Sequence, residues 1–221
     1  MAKKKTIVTP AGEAQWPYLC EPDTKFNEDG VYRVDLILPR EDAEPIIAEA
    51  QELIDALYKE TLADLKKGDG KAKAKAKVLT TKDPFEPHYD EEGNETDNVV
   101  LKFKTKAKIK DRKTGQLKDK KVPLYDGKKK LIKTKINVGP GSVVRVNATP
   151  SPWYIPKDNC VGCTFYLNGA QILELVEYGR SAESMGFDEE GDFDAHDVAQ
   201  DEEQADTSAG VTADLSQDPS L

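Results

Sequence analysis

The sequence predicts a mainly β protein: a small closed five-stranded β-barrel with extra strands and one inserted α-helix. The first observation is residues 101–110 (LKFKTKAKIK), where every even position is lysine and most odd positions are apolar. A period of two is that of a β-strand, whose side chains alternate between its two faces. The second observation is that roughly six or seven strand-like segments, separated by turn signals, accompany a single helical pattern. Closure into a barrel removes the exposed edges that so many short strands would otherwise leave.

The N-terminal half contains two predicted strands and the helix. Residues 14–20 (AQWPYLC) form a short strand, and residues 31–38 (VYRVDLIL) form a longer one that the following proline ends. The helix begins near Asp42, a favourable capping residue, and runs to about Lys67, because its apolar residues recur at helical spacing. We expect this helix to cover one end of the barrel.

Three segments are predicted to lack regular structure. Residues 68–77 (GDGKAKAKAK) are low in complexity and predict a flexible loop. Residues 83–98 are polar and contain two prolines, which also favours a loop. Residues 150–156 (PSPWYIP) contain three prolines, which break the regular pattern.

The second half predicts further strands after residues 101–110. They lie at residues 117–125, 131–138, 142–148 and 161–178, and the last bends at residues 168–169. A hairpin turn at residues 111–116 (DRKTGQ) joins the lysine-rich strand to the next one. Among small barrels, the OB-fold commonly binds oligonucleotides on one strand face. The predicted fold class is therefore an OB-fold followed by a disordered acidic C-terminal tail.

Charge is segregated along the 221 residues, and the net charge of −9 hides this. No lysine or arginine follows Arg180, whereas residues 181–221 hold 13 of the 41 acidic residues. The remainder of the chain therefore has 32 basic residues against 28 acidic ones. Within it, residues 99–135 carry 15 basic and three acidic residues. This asymmetry suggests a polyanionic ligand and predicts two domains, residues 1–182 and residues 183–221.

Several function classes are disfavoured. No apolar run is long enough to span a membrane, and the N-terminus lacks an apolar signal core, so we expect a cytoplasmic protein. Cys160 and Cys163 form a single CxxC, but a zinc site needs four ligands and no second CxxC exists. We therefore expect no metal and no cofactor. The acidic residues at 83–92 show no paired-carboxylate motif, so an enzyme, such as a metal-dependent nuclease, is not expected.

The alternating lysines predict a binding track for a phosphate backbone. A row of ammonium groups repels itself unless an anion lies along it, although lysines also protect exposed sheet edges from aggregation. Binders of single-stranded nucleic acid combine such a basic groove with aromatic side chains on which bases stack. Trp153 and Tyr154 are the first candidates for stacking, ahead of Tyr125, Tyr32 and Trp16. The full predicted DNA-binding set is Lys3, Lys4, Arg33, Lys102, Lys104, Lys106, Lys108, Lys110, Lys118, Lys120, Trp153 and Tyr154.

The acidic tail is predicted to compete with DNA for the basic face and to bind partner proteins. Two aromatic residues lie among its acids, and purely solvating disordered segments contain few aromatics. The predicted partner-binding residues are Phe187, Asp188, Glu189, Glu190, Asp192, Phe193 and Asp194. A purely solubilising tail is the alternative.

Taken together, these segments resemble the replicative single-stranded DNA-binding protein of short-tailed (T-odd type) bacteriophages. The resemblance covers roughly residues 1–195. It depends on the order and spacing of MAKK at the start, GVYRVDLILP at 30–39, LKFK at 101–104, DRKTGQLKDK at 111–120, VGPGSVVRV at 138–146, the loop near Trp153 and ILELVEYG at 172–179.

The resemblance implies an OB-fold, a homodimer, strand annealing, and tail contacts to the phage DNA polymerase and helicase-primase. By position, Lys3 and Lys104 match DNA-contacting lysines of that family, and Trp153 or Tyr154 loosely matches a DNA-contacting tyrosine loop. Tails of the family usually end on an aromatic residue. Here EEGDF at 189–193 is followed by 28 further residues, so either Phe193 acts from an internal position or the tail contact differs.

The predicted function is sequence-independent binding of single-stranded DNA in viral DNA replication, recombination and repair. The protein would protect single strands and promote their annealing while its tail recruits replication proteins. The alternatives are an acidic-tailed protein-interaction module that does not bind DNA and, less favoured, the metal-dependent nuclease.

Overall fold

The structure, a computed structural model, describes residues 5–111, 115–134 and 136–177. The predicted DNA contacts of Lys3 and Lys4 and the predicted partner contacts of residues 187–194 therefore lie outside the described residues. All of the described residues belong to one of the two units into which the chain divides, residues 1–179.

The described part of the chain is mainly β, with two helices. Its strands are β1 (Ile7–Val8), β2 (Gly12–Asp23), β3 (Val31–Pro39), β4 (Thr80–Thr81), β5 (Glu86–Tyr89), β6 (Glu95–Lys106), β7 (Lys108–Lys110), β8 (Leu117–Asp119), β9 (Leu124–Tyr125), β10 (Val143–Ile155) and β11 (Cys160–Glu174). The helices are α1 (Arg40–Lys67) and α2 (Gly70–Ala76). The mainly β class is thus confirmed.

Five strands pair in a continuous circuit. β2 pairs with β3, β3 with β6, and both of these pairings are antiparallel. β6 pairs with β11 in parallel, and β11 pairs antiparallel with β10. β10 then pairs with β2, which completes the circuit.

The last pairing depends on Gly12. Gly12 lies opposite Val144, and the backbone N–H of Ala14 donates to the carbonyl of Ser142 at 2.8 Å. A Cβ at position 12 would lie 2.6 Å from the carbonyl oxygen of Ile37. Glycine is therefore required here because the neighbouring backbone approaches too closely for any side chain.

The strands alternate as the period-two pattern predicts, and one face of each forms the core. On β6, Leu101 and Phe103 are fully buried, whereas Lys102 and Lys104 are exposed. The Phe103 ring packs against that of Phe165 on β11, with centroids 5.4 Å apart. This contact fixes the position of the lysine-rich strand relative to its parallel neighbour.

Helix α1 confirms the predicted amphipathic helix. It ends at Lys67 as expected and begins at Arg40, two residues before the predicted cap. It buries Ile46, Ile47, Ala50 and Ile54, among others. Burial of such a stripe provides most of the stability of a helix in a protein.

Two segments predicted as loops contain regular structure. Residues 68–77 include α2, because the Asp69 carboxylate accepts a hydrogen bond from Ala72 N at 2.8 Å and caps the helix. Ala and Lys also favour helix. Residues 83–98 include β5 and the start of β6, which pair with each other despite the polar sequence.

The prediction of irregular structure at residues 150–156 is wrong as well. β10 runs without interruption to Ile155 and pairs with β11 along this stretch. Beyond Ala148, β11 is the only described strand that pairs with β10. An edge strand tolerates Pro150 and Pro152, because a missing N–H loses no partner on the open side.

In the lysine-rich region, one strand prediction is partly confirmed and another is wrong. The predicted strand at 101–110 is divided, because β6 ends at Lys106 and β7 pairs separately with β8. Among the described residues of 131–138, only Leu131 and Val138 form isolated bridges, so the predicted strand is absent there. By contrast, the predicted bend at residues 168–169 coincides with a register shift opposite Asn147 and Ala148.

Candidate nucleic-acid interface

The outward-facing side chains of three neighbouring strands, β3, β6 and β11, form one outer surface. The β3–β6 register places Arg33 opposite Lys104 and Asp35 opposite Lys102. The β6–β11 register places Tyr166 beside Lys104, and Tyr166 is 46% exposed. The alternation therefore presents cations and an aromatic ring on the face that points away from the core.

A groove of about 300 Å³ lies in this surface. We call it the basic groove. Four of the predicted DNA-binding residues line it: Arg33, Lys102, Lys104 and Trp153. Lys82, Asp35, Asp83, Phe85, Glu86 and Thr164 also line it. Residues from five separate parts of the sequence thus converge at one site.

Trp153 is held in the basic groove by its neighbours on β11. It pairs with Gly162, where an added Cβ would lie 2.4 Å from the indole ring. The indole N–H donates to the hydroxyl of Thr164 at 3.1 Å. The ring is half-buried, and its position is fixed by these two contacts.

Tyr154 lies on the opposite face of β10, so the structure does not bring it into the groove. Its hydroxyl donates to the side-chain carbonyl of Asn159 at 3.1 Å. Its ring packs against a buried cluster of Ile54, Leu79 and Val161, which joins α1 to the sheet. The alternation of β10 separates two adjacent aromatic residues that sequence reasoning had treated as one loop.

The cations of the basic groove differ in whether an acidic side chain forms an ion pair with them. The Arg33 guanidinium pairs with Asp23 at 3.0 Å and lies over the ring of Tyr18. Lys102 pairs with Glu86 at 2.5 Å. Lys104 is exposed and has no carboxylate within ion-pair distance among the described residues. Lys82, which also lines the groove, is likewise exposed and has no described carboxylate within ion-pair distance. Lys104 and Lys82 are therefore the groove cations most available to an incoming anion.

Asp35 is an acidic residue in the middle of this surface. Burial raises the pKa of its carboxyl above the ordinary 3.8, and Lys102 and Arg33 oppose that shift. Sequence reasoning missed Asp35 as a site residue because an isolated acid in a strand gives no local signal. Its location becomes visible only when the register places it opposite Lys102.

The remaining predicted lysines do not line the groove. Lys106 is an exposed residue at the end of β6. The others belong to or adjoin β7 and β8: Lys108 pairs with Asp29 at 3.6 Å, and Lys118 pairs with Asp111 at 2.6 Å. Lys110 is exposed.

Lys120 is directed back toward the body of the protein. Its ammonium donates to the Thr105 hydroxyl at 2.6 Å, and burial lowers its pKa below 10.5. These contacts favour a structural role for Lys120 in holding β8 against β6.

Other aromatic candidates lie elsewhere. Tyr32 is only 6% exposed and belongs to the core. Trp16 is 62% exposed and lines a separate cavity of about 670 Å³ with Tyr18 and Val138. Tyr125 is 39% exposed and lines a third cavity.

Besides Asp35, sequence reasoning missed a second aromatic ring, a cation and a further aromatic residue at or beside the groove: Tyr166, Lys82 and Phe85. Tyr166 was detectable, because it occupies an outward position in the alternating segment 161–178. Phe85 lies within residues 83–98, which the sequence predicts as a loop, and Lys82 lies just before that segment, outside any predicted element. The Arg40 guanidinium lies over the Phe85 ring, 5.1 Å from its centroid.

Within the described ranges, no group of three or more His, Cys, Asp or Glu residues is arranged to hold a metal ion. Cys20, Cys160 and Cys163 are free thiols. Burial raises the pKa of Cys20 and of Cys163, which makes these thiols less nucleophilic at neutral pH. None of the described helices is both long and apolar enough to cross a membrane.

Comparison with known proteins yields a consistent family. The family model described as "Single-stranded DNA-binding protein, Bacteriophage T7" matches residues 11–175. A relative from Enterobacteria phage T3, named single-stranded DNA-binding protein, is 26% identical over 200 residues, covering 85% of this chain and 83% of the relative. A relative of the same name from Escherichia phage T7 is 26% identical over 194 residues, covering 80% of this chain and 78% of the relative.

A solved structure shows the same fold. The crystal structure of gp2.5, a single-stranded DNA-binding protein encoded by bacteriophage T7, matches with a TM-score of 0.63 at 21% identity. The match covers 87% of this chain and 100% of that chain.

The raised pKa of Asp35 generates a prediction about stability. A carboxyl whose pKa is raised by folding stabilises the folded state only while it is protonated, so stability is lost as pH rises from the ordinary value of 3.8 through the folded-state value. The variant Asp35→Asn has no carboxyl at this position and should not lose stability in this way. We expect it to gain stability relative to the wild type as pH rises from below 3.8 to neutral, as measured by urea unfolding at each pH.

The exposed Asp97→Asn is the matched control for removal of one negative charge. It should show a much smaller pH-dependent difference. A difference between Asp35→Asn and the wild type that stays constant with pH would contradict the assigned effect of burial.

Proposed function

Because the chain belongs to the family of the bacteriophage T7 single-stranded DNA-binding protein, we propose that it binds single-stranded DNA along the basic groove without reading its sequence. The family match spans residues 11–175, which include every described residue that lines the groove. The observation that carries the proposal is the convergence of Arg33, Lys102, Lys104 and Trp153 on one outward face.

The chemistry of the groove suits the two parts of a nucleotide. Lys104 and Lys102 supply positive charge for the phosphates, and such contacts carry no sequence information. Trp153 supplies a ring on which any base can stack, and stacking is worth about 1–3 kcal/mol per base. Tyr166, beside Lys104, is a second ring at the same surface.

We interpret the five-strand circuit as the closed barrel of an OB-fold. This interpretation is supported by the strand pairs, which connect β10 to β2, β2 to β3, β3 to β6, β6 to β11 and β11 back to β10. In OB-folds, oligonucleotides bind across one strand face, and the basic groove occupies such a face here.

Membership in a family of DNA-binding proteins confirms the prediction that the chain is not an enzyme. The nuclease alternative has no supporting observation among the described residues, and a protein-interaction module without DNA binding is disfavoured by the family match.

The finer roles remain proposals that rest on family membership and on the charge distribution. We propose that the protein acts in phage DNA replication, recombination and repair, forms a homodimer, and promotes annealing. The acidic segment from residue 183 onward competes with DNA for the basic groove. When DNA displaces it, Phe187 and Phe193, with their acidic neighbours, contact the phage DNA polymerase and helicase-primase. Lys3 and Lys4 add a basic arm to the DNA site.

The proposed phosphate contact predicts a defined salt dependence. The logarithm of the affinity for oligo-dT should fall with the logarithm of salt concentration by about 0.7 per phosphate neutralised. The variant Lys104→Gln should bind more weakly at low salt and lose about 0.7 from that slope. Fluorescence titrations at several salt concentrations measure both. Lys130→Gln removes one exposed charge outside the groove and should leave the slope unchanged. Equal slopes for wild type and Lys104→Gln would contradict a phosphate contact at Lys104.

The proposed stacking predicts which of the two tryptophans senses DNA. In Trp16→Phe, where Trp153 remains, oligo-dT should still quench the fluorescence. Trp153→Leu should weaken binding by about 1–3 kcal/mol, the usual effect of losing one stacked base. Tyr154→Phe keeps the packing on the opposite face and should bind as the wild type does. Circular dichroism checks that each variant is folded. If oligo-dT did not quench the fluorescence of a folded Trp16→Phe variant, the assignment of Trp153 would be wrong.

The proposed competition by the tail predicts the effect of ending the chain at residue 182. The shortened protein should bind oligo-dT more tightly than the full chain at low salt. The advantage should shrink as salt rises, because salt screens the competing charges. A full-length chain with Phe187→Ala and Phe193→Ala keeps all acids and should retain the competition. If truncation left the low-salt affinity unchanged, the tail would not compete with DNA.

A further inference from the structure

A second basic surface lies next to the basic groove, on α2 and the residues around it. Residues 66–82 contain seven lysines and a single acid, Asp69. The lysines are Lys66, Lys67, Lys71, Lys73, Lys75, Lys77 and Lys82. The carboxylate of Asp69 accepts the N–H of Ala72 at 2.8 Å, so the one acid of the segment is occupied in capping α2.

The helix is fixed to the turn between β10 and β11. The ammonium of Lys75 donates to the carbonyl of Pro156 at 2.8 Å. The side-chain amide of Asn159 donates to the carbonyl of Lys75 at 2.9 Å. These two hydrogen bonds hold α2 against the strands that carry Trp153, so its lysines occupy a defined place on the surface.

The chain leads directly from α2 to the Trp153 end of the groove. After α2, β4 runs parallel to the start of β11, and Lys82 N donates to Val161 O at 2.8 Å. The next residue on β11 is Gly162, over which the Trp153 ring lies. Lys82 itself lines the groove. The two basic surfaces are thus continuous through Lys82.

Fewer of the lysines on and beside α2 than of the cations in the groove form ion pairs with acidic side chains. Lys71, Lys73 and Lys77 are exposed, and none has a described carboxylate within ion-pair distance. By contrast, Arg33 and Lys102 of the groove are each paired with an acid. An extended polyanion that leaves the groove past Trp153 would therefore meet three lysines on and beside α2 that lack a described acidic partner.

We propose that α2 is a second phosphate-binding site, which continues the path of the same DNA strand beyond Trp153. This inference rests on the proposed function of the basic groove. The described surface of α2 offers Lys71, Lys73 and Lys77 but no aromatic side chain, so it holds the backbone and leaves the bases unstacked. Binding sites of roughly 4–16 nucleotides per OB-fold accommodate such an extension.

The proposal predicts that affinity depends on α2 only when the DNA is long enough to reach it. The test variant carries Lys71→Gln, Lys73→Gln and Lys77→Gln. Lys75 is kept because it holds the helix in place, and Lys82 is kept because it lines the groove. Glutamine has a helix propensity similar to that of lysine, so α2 should remain helical.

The measurement is a fluorescence titration with oligo-dT of about 5 nucleotides, near the low end of such binding sites, and of about 20 nucleotides, just longer than the high end. For the short oligonucleotide, the variant should bind as the wild type does. For the long one, it should bind about tenfold more weakly at low salt, and its salt slope should fall by up to about 2. Lys128→Gln, Lys129→Gln and Lys130→Gln, combined in one control variant, remove the same charge from an exposed turn.

Three outcomes would overturn the inference. In the first, the α2 variant binds the long oligonucleotide as tightly as the wild type does. In the second, it loses the same affinity for both lengths. In the third, the control variant loses as much affinity for the long oligonucleotide as the α2 variant does. If the wild type bound neither oligonucleotide, the proposed function would fail, and the inference would fail with it. If the wild type bound both but α2 made no difference, only the inference would fail.

Discussion

The packing of Phe103 against Phe165 is the contact on which the candidate site depends. Their centroids lie 5.4 Å apart, and both side chains are buried almost completely. Because strand side chains alternate, burial of Phe103 directs Lys102 and Lys104 outward, and burial of Phe165 does the same for Thr164 and Tyr166. A shift of register by one residue would exchange the two faces and bury the lysines. The hydrophobic core therefore determines where the positive charge lies.

The same register also determines how much of that charge is free. Asp35 lies opposite Lys102, Glu86 pairs with Lys102, and Asp23 pairs with Arg33. These acids reduce the mutual repulsion of the cations in the unbound protein, while Lys104 has no such partner among the described residues. A phosphate chain that enters the groove meets two ammonium groups without a described acidic partner, those of Lys82 and Lys104, and two cations that must exchange an internal acid for a phosphate. Binding of this kind is expected to be strong at low salt and to weaken as salt rises.

Much of the architecture follows from periodicity, and the parts that do not follow have physical reasons. The alternation of residues 101–106 and the stripe of α1 are local patterns, so the buried faces of β6 and α1 were predictable. The course of β10 was not, because three prolines suggest a break, and only the open edge beyond Ala148 makes them harmless. Tyr154 was assigned to the DNA site with Trp153 for that reason, whereas a continuous strand places the two rings on opposite faces. The location of Lys82 and Asp35 depends on pairings between segments distant in sequence, which no local pattern reveals. The mainly β class and the family were predictable, and the set of residues that meet in the groove was only partly so.

We propose that one strand of DNA lies across β6, β11 and β10, with its bases at Trp153. The most direct measurement is ultraviolet cross-linking of the full chain to oligo-dT, followed by mass spectrometry of the linked peptides. We expect cross-links in peptides that contain Trp153 or Tyr166 and none in those that contain Trp16 or Tyr125, although the latter two rings are also exposed. Cross-links confined to Trp16 or Tyr125 would place the DNA on a different surface and rule out binding along the basic groove.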